Sequence, residues 1–184
     1  NFGDRNGSYL AAKGGTASGS HAHMDSGSFI YEWGGIRWAC DLGSQGYHSL
    51  ESKGLGIWKR GQNSDRWRVF RLGNFSHNTL TVNEKLHNVK GMATMDKLYN
   101  TKNRHGAEFD LTPIFFDLSS AYRTIYIDKS DKVTCIDKLK ARDIECQVRW
   151  NMTTTATARI VDDRTISLTK NGKEVILRAD APKG

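Results

Sequence analysis

The chain has 184 residues, 38% hydrophobic, 26% charged and 10% aromatic, enough apolar material for one ordinary core, and no run of about 18 apolar residues such as a membrane span needs. Its 18 glycines against 2 prolines, amid many β-branched and aromatic residues, favour short strands joined by glycine turns, so an all-β class is expected. The net charge of +7 suits an anionic partner, but the basic residues are scattered singly with no basic block, recognition helix or RNP-like motif, which argues against nucleic acid.

Alternating or apolar runs bounded by turn residues recur along the chain. Residues 9–13 form a short apolar run. Residues 28–33 and 36–42 flank Gly34-Gly35, a two-residue hairpin turn. Further strands are expected at 68–72, 79–83, 115–118, 123–127, 132–139, 145–152, 156–161, 165–169 and 174–178, the last two joined through Asn171-Gly172, a second hairpin signal. This number of short strands implies a sandwich of antiparallel sheets. No stretch shows a sustained helical period, and no internal repeat is present.

Three segments read as loops: residues 14–20, 43–63 and 95–110. Loops of this length are uncommon in a compact domain unless they bind something or are covered by another domain. Cys40, Cys135 and Cys146 lack the spacing of a disulfide framework or a thiolate zinc site, although Cys135 and Cys146 would pair if their strands adjoin. A first residue that is not Met, and an end just beyond a strand-like run, read as a fragment.

Residues 20–29 read SHAHMDSGSF and space His21, His23 and Asp25 by two, so an extended backbone would point all three to one face. Asp41 closes an apolar strand, and His77 precedes another. Two imidazoles and a carboxylate form a common zinc set, although ligands on separate strands carry no diagnostic local spacing. The plainer readings stand beside this one. Asp25 is also a natural acceptor for turn N–H groups, and His48, His87 and His105 read as ordinary hydrogen-bonded histidines.

The string KGGTASGSHAHMDSGSFIYEWGGIRWACDLG, followed by RWRVFRLGNFSHNTLTVN, resembles the heparinase II/III-like polysaccharide lyases. A lysine-glycine-glycine segment, a His-x-His-x-Asp motif, a glycine-turned hairpin ending in Asp-x-Gly and a later His-Asn-Thr-Leu occur in the family's order across the first half of the chain. The resemblance implies that residues 1–184 are an incomplete C-terminal β-sandwich whose α/α toroid partner domain is absent, with the substrate cleft between the two. It also implies a zinc ion held by His23, Asp41 and His77, with His21 as a catalytic-site histidine.

The reaction so implied is β-elimination at a uronic acid, in an anionic polymer of the heparin or heparan sulfate type. Removing the proton α to the carboxylate builds enolate charge, so the site needs donors or cations that bind that charge, a base for the proton and an acid for the leaving oxygen. His21 fits proton transfer or charge stabilisation; Tyr47 is a weaker candidate for substrate contact, and since residues 58–76 lack the Tyr that some relatives carry there, the general-acid role falls to the absent helical domain or to Tyr47. For Arg66, Arg68 and Arg71 the choice lies between a solvated strand face and contact with substrate anions, with Arg66 and Arg71 taken as substrate-binding candidates. Trp58 would stack on a sugar. The zinc reads as architectural. A non-catalytic carbohydrate-binding sandwich with a structural metal, and a zinc hydrolase, are the competing readings. A periplasmic or secreted location follows from where such polymers are met.

Overall fold

In the computed structural model, which describes Asp4, residues 6–143 and residues 145–180, the chain is built from antiparallel strands. Strands β1 (Tyr9–Ala12), β2 (Phe29–Trp33) and β3 (Ile36–Ala39) form one sheet. Strands β5 (Thr94–Asn100), β6 (Arg104–Asp110), β7 (Leu118–Asp128) and β8 (Val133–Ala141) form a four-stranded meander. Strand β4 (Leu80–Val82) pairs with β9 (Val148–Trp150) in a two-stranded sheet, and β10 (Thr157–Asp162), β11 (Thr165–Lys170) and β12 (Lys173–Arg178) make a further, three-stranded one. The expected all-β sandwich is the architecture found. Among the described residues no helix is long and apolar enough to cross a membrane, and no disulfide joins Cys135 to Cys146.

Period-two burial builds the main core. Ala121 and Ile125 of β7 and Ala107 and Phe109 of β6 face inward and pack with Phe29 of β2 and with Leu80 and Val82 of β4. Both expected hairpins form at the expected residues. Gly34 and Gly35 have φ of 61° and 76°, and Asn171 and Gly172 have 50° and 73°, the paired positive values that a two-residue turn between twisted strands requires.

Four expectations differ. Residues 115–118 and 123–127, read as two strands, are one strand, β7, which begins only at Leu118 after a 3-10 turn at Thr112–Ile114. Residues 95–110, read as a loop, are the β5–β6 hairpin; β5 is an edge strand with both faces largely open, so it lacks the apolar alternation that reveals a half-buried strand. Residues 68–72, read as a strand, continue a 3-10 turn at Asp65–Arg68. Their alternation arises because Trp67, Val69 and Leu72 insert into a second apolar cluster while Phe70 stays outside. Residues 43–63, read as irregular, contain one short helix, α1 (Tyr47–Glu51).

That second cluster positions the site. Met24, Leu50, Ile57, Trp67, Val69, Leu72 and Val89 are buried together, so the long segments 13–28 and 43–73 pack on each other rather than dangle from the sheets.

Candidate functional site

The segment between β1 and β2 leaves the sheet as a closed loop, its ends fastened by Lys13 N–H to the Ser28 carbonyl (3.1 Å) and Gly27 N–H to the Lys13 carbonyl (2.8 Å). Met24 plugs into the second cluster, and its N–H donates to the Leu72 carbonyl at 2.9 Å. The expected shared face of His21, His23 and Asp25 does not form as drawn for an extended strand. His21 takes a φ of 56°, which breaks the alternation and gives it different neighbours from His23.

His21 and Tyr47 lie together. Their Nδ1 and hydroxyl oxygen are 2.8 Å apart, and the rings stack with centroids 5.7 Å apart and planes 4° from parallel. Trp58 sets its ring edge-on to both, at 6.1 Å from His21 and 5.2 Å from Tyr47. It is 60% exposed and donates its indole N–H to Glu51 Oε1 at 2.6 Å. Three residues 26 and 11 positions apart in sequence thus form one open cluster with a hydrogen-bonded histidine–tyrosine pair and an accessible aromatic surface.

The second group centres on His77, which is fully buried and has its Nδ1 2.7 Å from Asp41 Oδ2. That hydrogen bond holds the Asp41 carboxyl well down, at about 2, aided by the Gly43 N–H that donates to Oδ1. An ionised carboxylate only accepts, so Nδ1 of His77 carries the proton and donates. In the neutral ring, Nε2 then presents a lone pair, and this atom is buried with no hydrogen-bond partner. The His23 ring lies 5.4 Å from that of His77, and burial, then the neighbouring His77, lowers its pKa and favours the neutral, ligand-competent form. Ligand atoms of His23, Asp25 and His77 all lie within 4.8 Å of one another. Asp25 also pairs with Lys13 at 2.9 Å.

The donor set and the orphaned Nε2 fit a zinc-type cation. The family motifs imply Asp41 as the third ligand; here its oxygens accept from Gly43 N–H and His77 Nδ1, while Asp25, both of whose oxygens meet Lys13 Nζ, is the carboxylate whose ligand atoms cluster with those of His23 and His77. Its two-residue spacing from His23 was the available signal.

The arginines expected to meet substrate are placed differently from one another. Arg66 is only 2% exposed, and its N–H groups donate to the Ile57 and Ala22 carbonyls, which leaves it no open face for a polymer. Arg71 is half-buried and donates to the Leu42 carbonyl at 2.6 Å, beside Asp41. Arg68 is exposed and pairs with Asp65.

Comparison with known proteins bears on these motifs. No curated protein matches the chain. Among solved structures, the chain is similar to the crystal structure of heparinase III, with a TM-score of 0.65 at 15% identity, covering 97% of this chain and 29% of that one. The likeness is one of fold, and the chain spans less than a third of the length of that structure. The profile described as "Heparinase II/III-like, C-terminal" matches residues 4–183, nearly the whole chain, and the protein belongs to that family.

Proposed function

We propose that this chain is the sandwich part of a polysaccharide lyase that cleaves a uronic-acid-containing, glycosaminoglycan-like polymer by β-elimination, working with a helical domain and meeting its polymer in the periplasm or outside the cell. The observation that carries this reading is the His21–Tyr47 pair at 2.8 Å with the exposed Trp58 against both rings, in a chain of the heparinase II/III-like family.

The chemistry asks for groups that move protons and meet charge on a sugar. His21 takes the proton α to the uronate carboxylate as the bond to the leaving glycosidic oxygen breaks, Tyr47 donates its hydroxyl proton to that oxygen, and the proton on His21 passes along their hydrogen bond to restore both groups. Trp58 offers its ring to the apolar face of a sugar. Arg71 and the net charge of +7 favour an anionic polymer.

His23 and His77 hold zinc, with Asp41 as third ligand in the arrangement that the family motifs imply; the clustering of ligand atoms favours Asp25 in that place, with Asp41 orienting His77. When bound, the ion supplies a fixed positive charge that fastens the His21 loop to the segments carrying Asp41 and His77.

The test uses the full-length enzyme with heparan sulfate, reading the ultraviolet absorbance of the unsaturated uronate. His21→Ala and Tyr47→Phe are each expected to lower kcat by about 100-fold or more. Elemental analysis is expected to find about one zinc per chain, lost in His23→Ala and His77→Ala and kept in His21→Ala; Asp25→Ala and Asp41→Ala decide the third ligand. Polymer binding with no unsaturated product would instead favour a carbohydrate-binding module.

A further inference from the structure

The backbone at the H-x-H motif is in a conformation that an L residue seldom adopts. His21 sits in the left-handed region at φ 56°, and such residues persist only where the surroundings over-determine them. The turn is closed by the Ala22 N–H on the Gly19 carbonyl at 3.4 Å, and few bonds tie it to the rest of the fold. Met24 N–H reaches the Leu72 carbonyl, Arg60 reaches the Ser18 carbonyl at 3.1 Å, and Arg66 Nη2 reaches the carbonyl of Ala22, between the two histidines, at 2.8 Å. Only the last is a buried charge.

The other arm of Arg66, Nη1, donates at 3.1 Å to the carbonyl of Ile57, the residue before Trp58. One guanidinium therefore ties the loop that carries His21 to the loop that carries Trp58, and its flat face lies 5.4 Å from the Trp67 ring centroid in the cluster beneath. Among the described residues no carboxylate forms a salt bridge with Arg66, and its Nε is buried with no hydrogen-bond partner. A buried cation with no countercharge and an unmet donor is a poor stabiliser of the fold. Its worth lies in what its two arms hold in register.

We infer that Arg66 is the positioning residue of the His21–Tyr47 pair, acting through the Ala22 and Ile57 carbonyls and not on the substrate. The kinetic consequence rests on the lyase reading above; the structural consequence does not. Without the clamp the His21 turn relaxes and Trp58 loses its seat, so the pair no longer meets at hydrogen-bond distance.

The experiment takes the full-length enzyme and heparan sulfate. Arg66→Met is expected to lower kcat about 10- to 100-fold, the effect of a small misplacement of reacting groups, with KM unchanged within about twofold. In a Tyr47→Phe background the same change is expected to cost less than about threefold, because the geometry that it protects is already idle. General damage to the fold would multiply through instead. NMR of nitrogen-labelled histidine reads the His21 Nδ1 hydrogen bond without turnover and should show it lost in Arg66→Met and kept in Arg68→Met. If Arg66→Met fails to fold, Arg66→Lys keeps the cation and loses the two-sided fork, and the same pattern is expected.

A rise in KM at constant kcat would mean substrate contact and overturn the inference. So would a wild-type His21 signal in the Arg66 variants, or full additivity with Tyr47→Phe. If the unmodified enzyme does not turn over heparan sulfate, the lyase reading fails and the NMR result alone decides the role of Arg66.

Discussion

The sheets and the site region are held by different physics. Strands β5 to β8 are joined by long antiparallel ladders, bulged once in the β5–β6 pair and once in the β7–β8 pair, in which most backbone bonds resemble their neighbours and a slip costs the whole apolar face. Residues 13–28 and 41–79 are held by a small apolar cluster and by single side chains that grip single carbonyls. Asn78 Nδ2 donates to the Phe29 and Cys40 carbonyls, Thr79 to that of Ser26, Arg71 to that of Leu42 and Arg66 to two more. A ladder tolerates local change because neighbours share its load. A site assembled from individual bonds is accurate to a fraction of an ångström and loses its geometry when one bond is removed.

The largest effect is expected where the two regions are bolted together. Arg123 of β7 is fully buried, forks onto the Asp137 carboxylate of β8 at 2.7 and 2.9 Å, and donates from Nη1 to the Gly27 and Asn78 carbonyls at 2.8 and 3.0 Å. Gly27 follows the His23 loop and Asn78 follows His77. Arg123→Met leaves a largely buried carboxylate and two carbonyls unmet, so it is expected to cost about 3–5 kcal/mol in urea denaturation. Adding Asp137→Leu should recover much of that loss, because it removes the buried carboxylate left without its partner. Equal losses in the single and double variants would show that the charge pair is not the bolt.

A smaller effect separates the regions by pH. His87 is fully buried, its Nε2 donates to the Leu80 carbonyl at 2.8 Å, its ring meets Phe115 edge-on, and Nδ1 has no partner. Burial pushes its pKa down from 6.5 to about 4, against the raising effect of the Leu80 bond. The folded state therefore keeps this ring neutral while the unfolded chain takes up a proton. Its contribution is fully present above pH 6.5, is lost as pH falls toward about 4, and amounts to about 3 kcal/mol. Stability measured against pH should show this slope, and a neutral replacement such as His87→Gln should remove it. A slope that survives the replacement would place the acid sensitivity elsewhere.

The contrast between regions also explains what could be read from the amino acids. The hairpins at Gly34-Gly35 and Asn171-Gly172 were legible because the turn chemistry is local and few residues accept a positive φ. β5 was not, since TMDKLYN is a bulged edge strand whose pairing is set by β6 rather than by its own pattern. Motif order singled out His21, His23 and His77 in the chain. The grouping of the site was not legible: the approach of Tyr47 and Trp58 to His21 depends on Leu50, Ile57 and Met24 sharing one cluster. Arg66 shows the limit most clearly. A basic residue in RWRVFR looks solvated, and only the tertiary fold reveals that its neighbours are carbonyls.

The smallest effect is expected from a change that disturbs a sheet and leaves the site alone. Gly172 closes the β11–β12 hairpin at φ 73°, and a Cβ added there would meet nothing within 4 Å. The cost of Gly172→Ala is thus one of backbone conformation, about 1 kcal/mol, and Gly172→Asn should cost less because Asn visits the left-handed region more readily. Thermal denaturation of the full-length enzyme measures both. Since β11 reaches the rest of the fold through Leu168, packed with Ile36 and Trp38, and not through the His21 or His77 loops, the zinc binding and turnover proposed above should stay at the level of the unmodified protein. If turnover instead fell along with stability, the β10–β12 sheet would be coupled to the site through Trp38 and β3, the strand that leads into Asp41, and the division between a cooperative sheet and an individually fastened site would have to be redrawn along that strand.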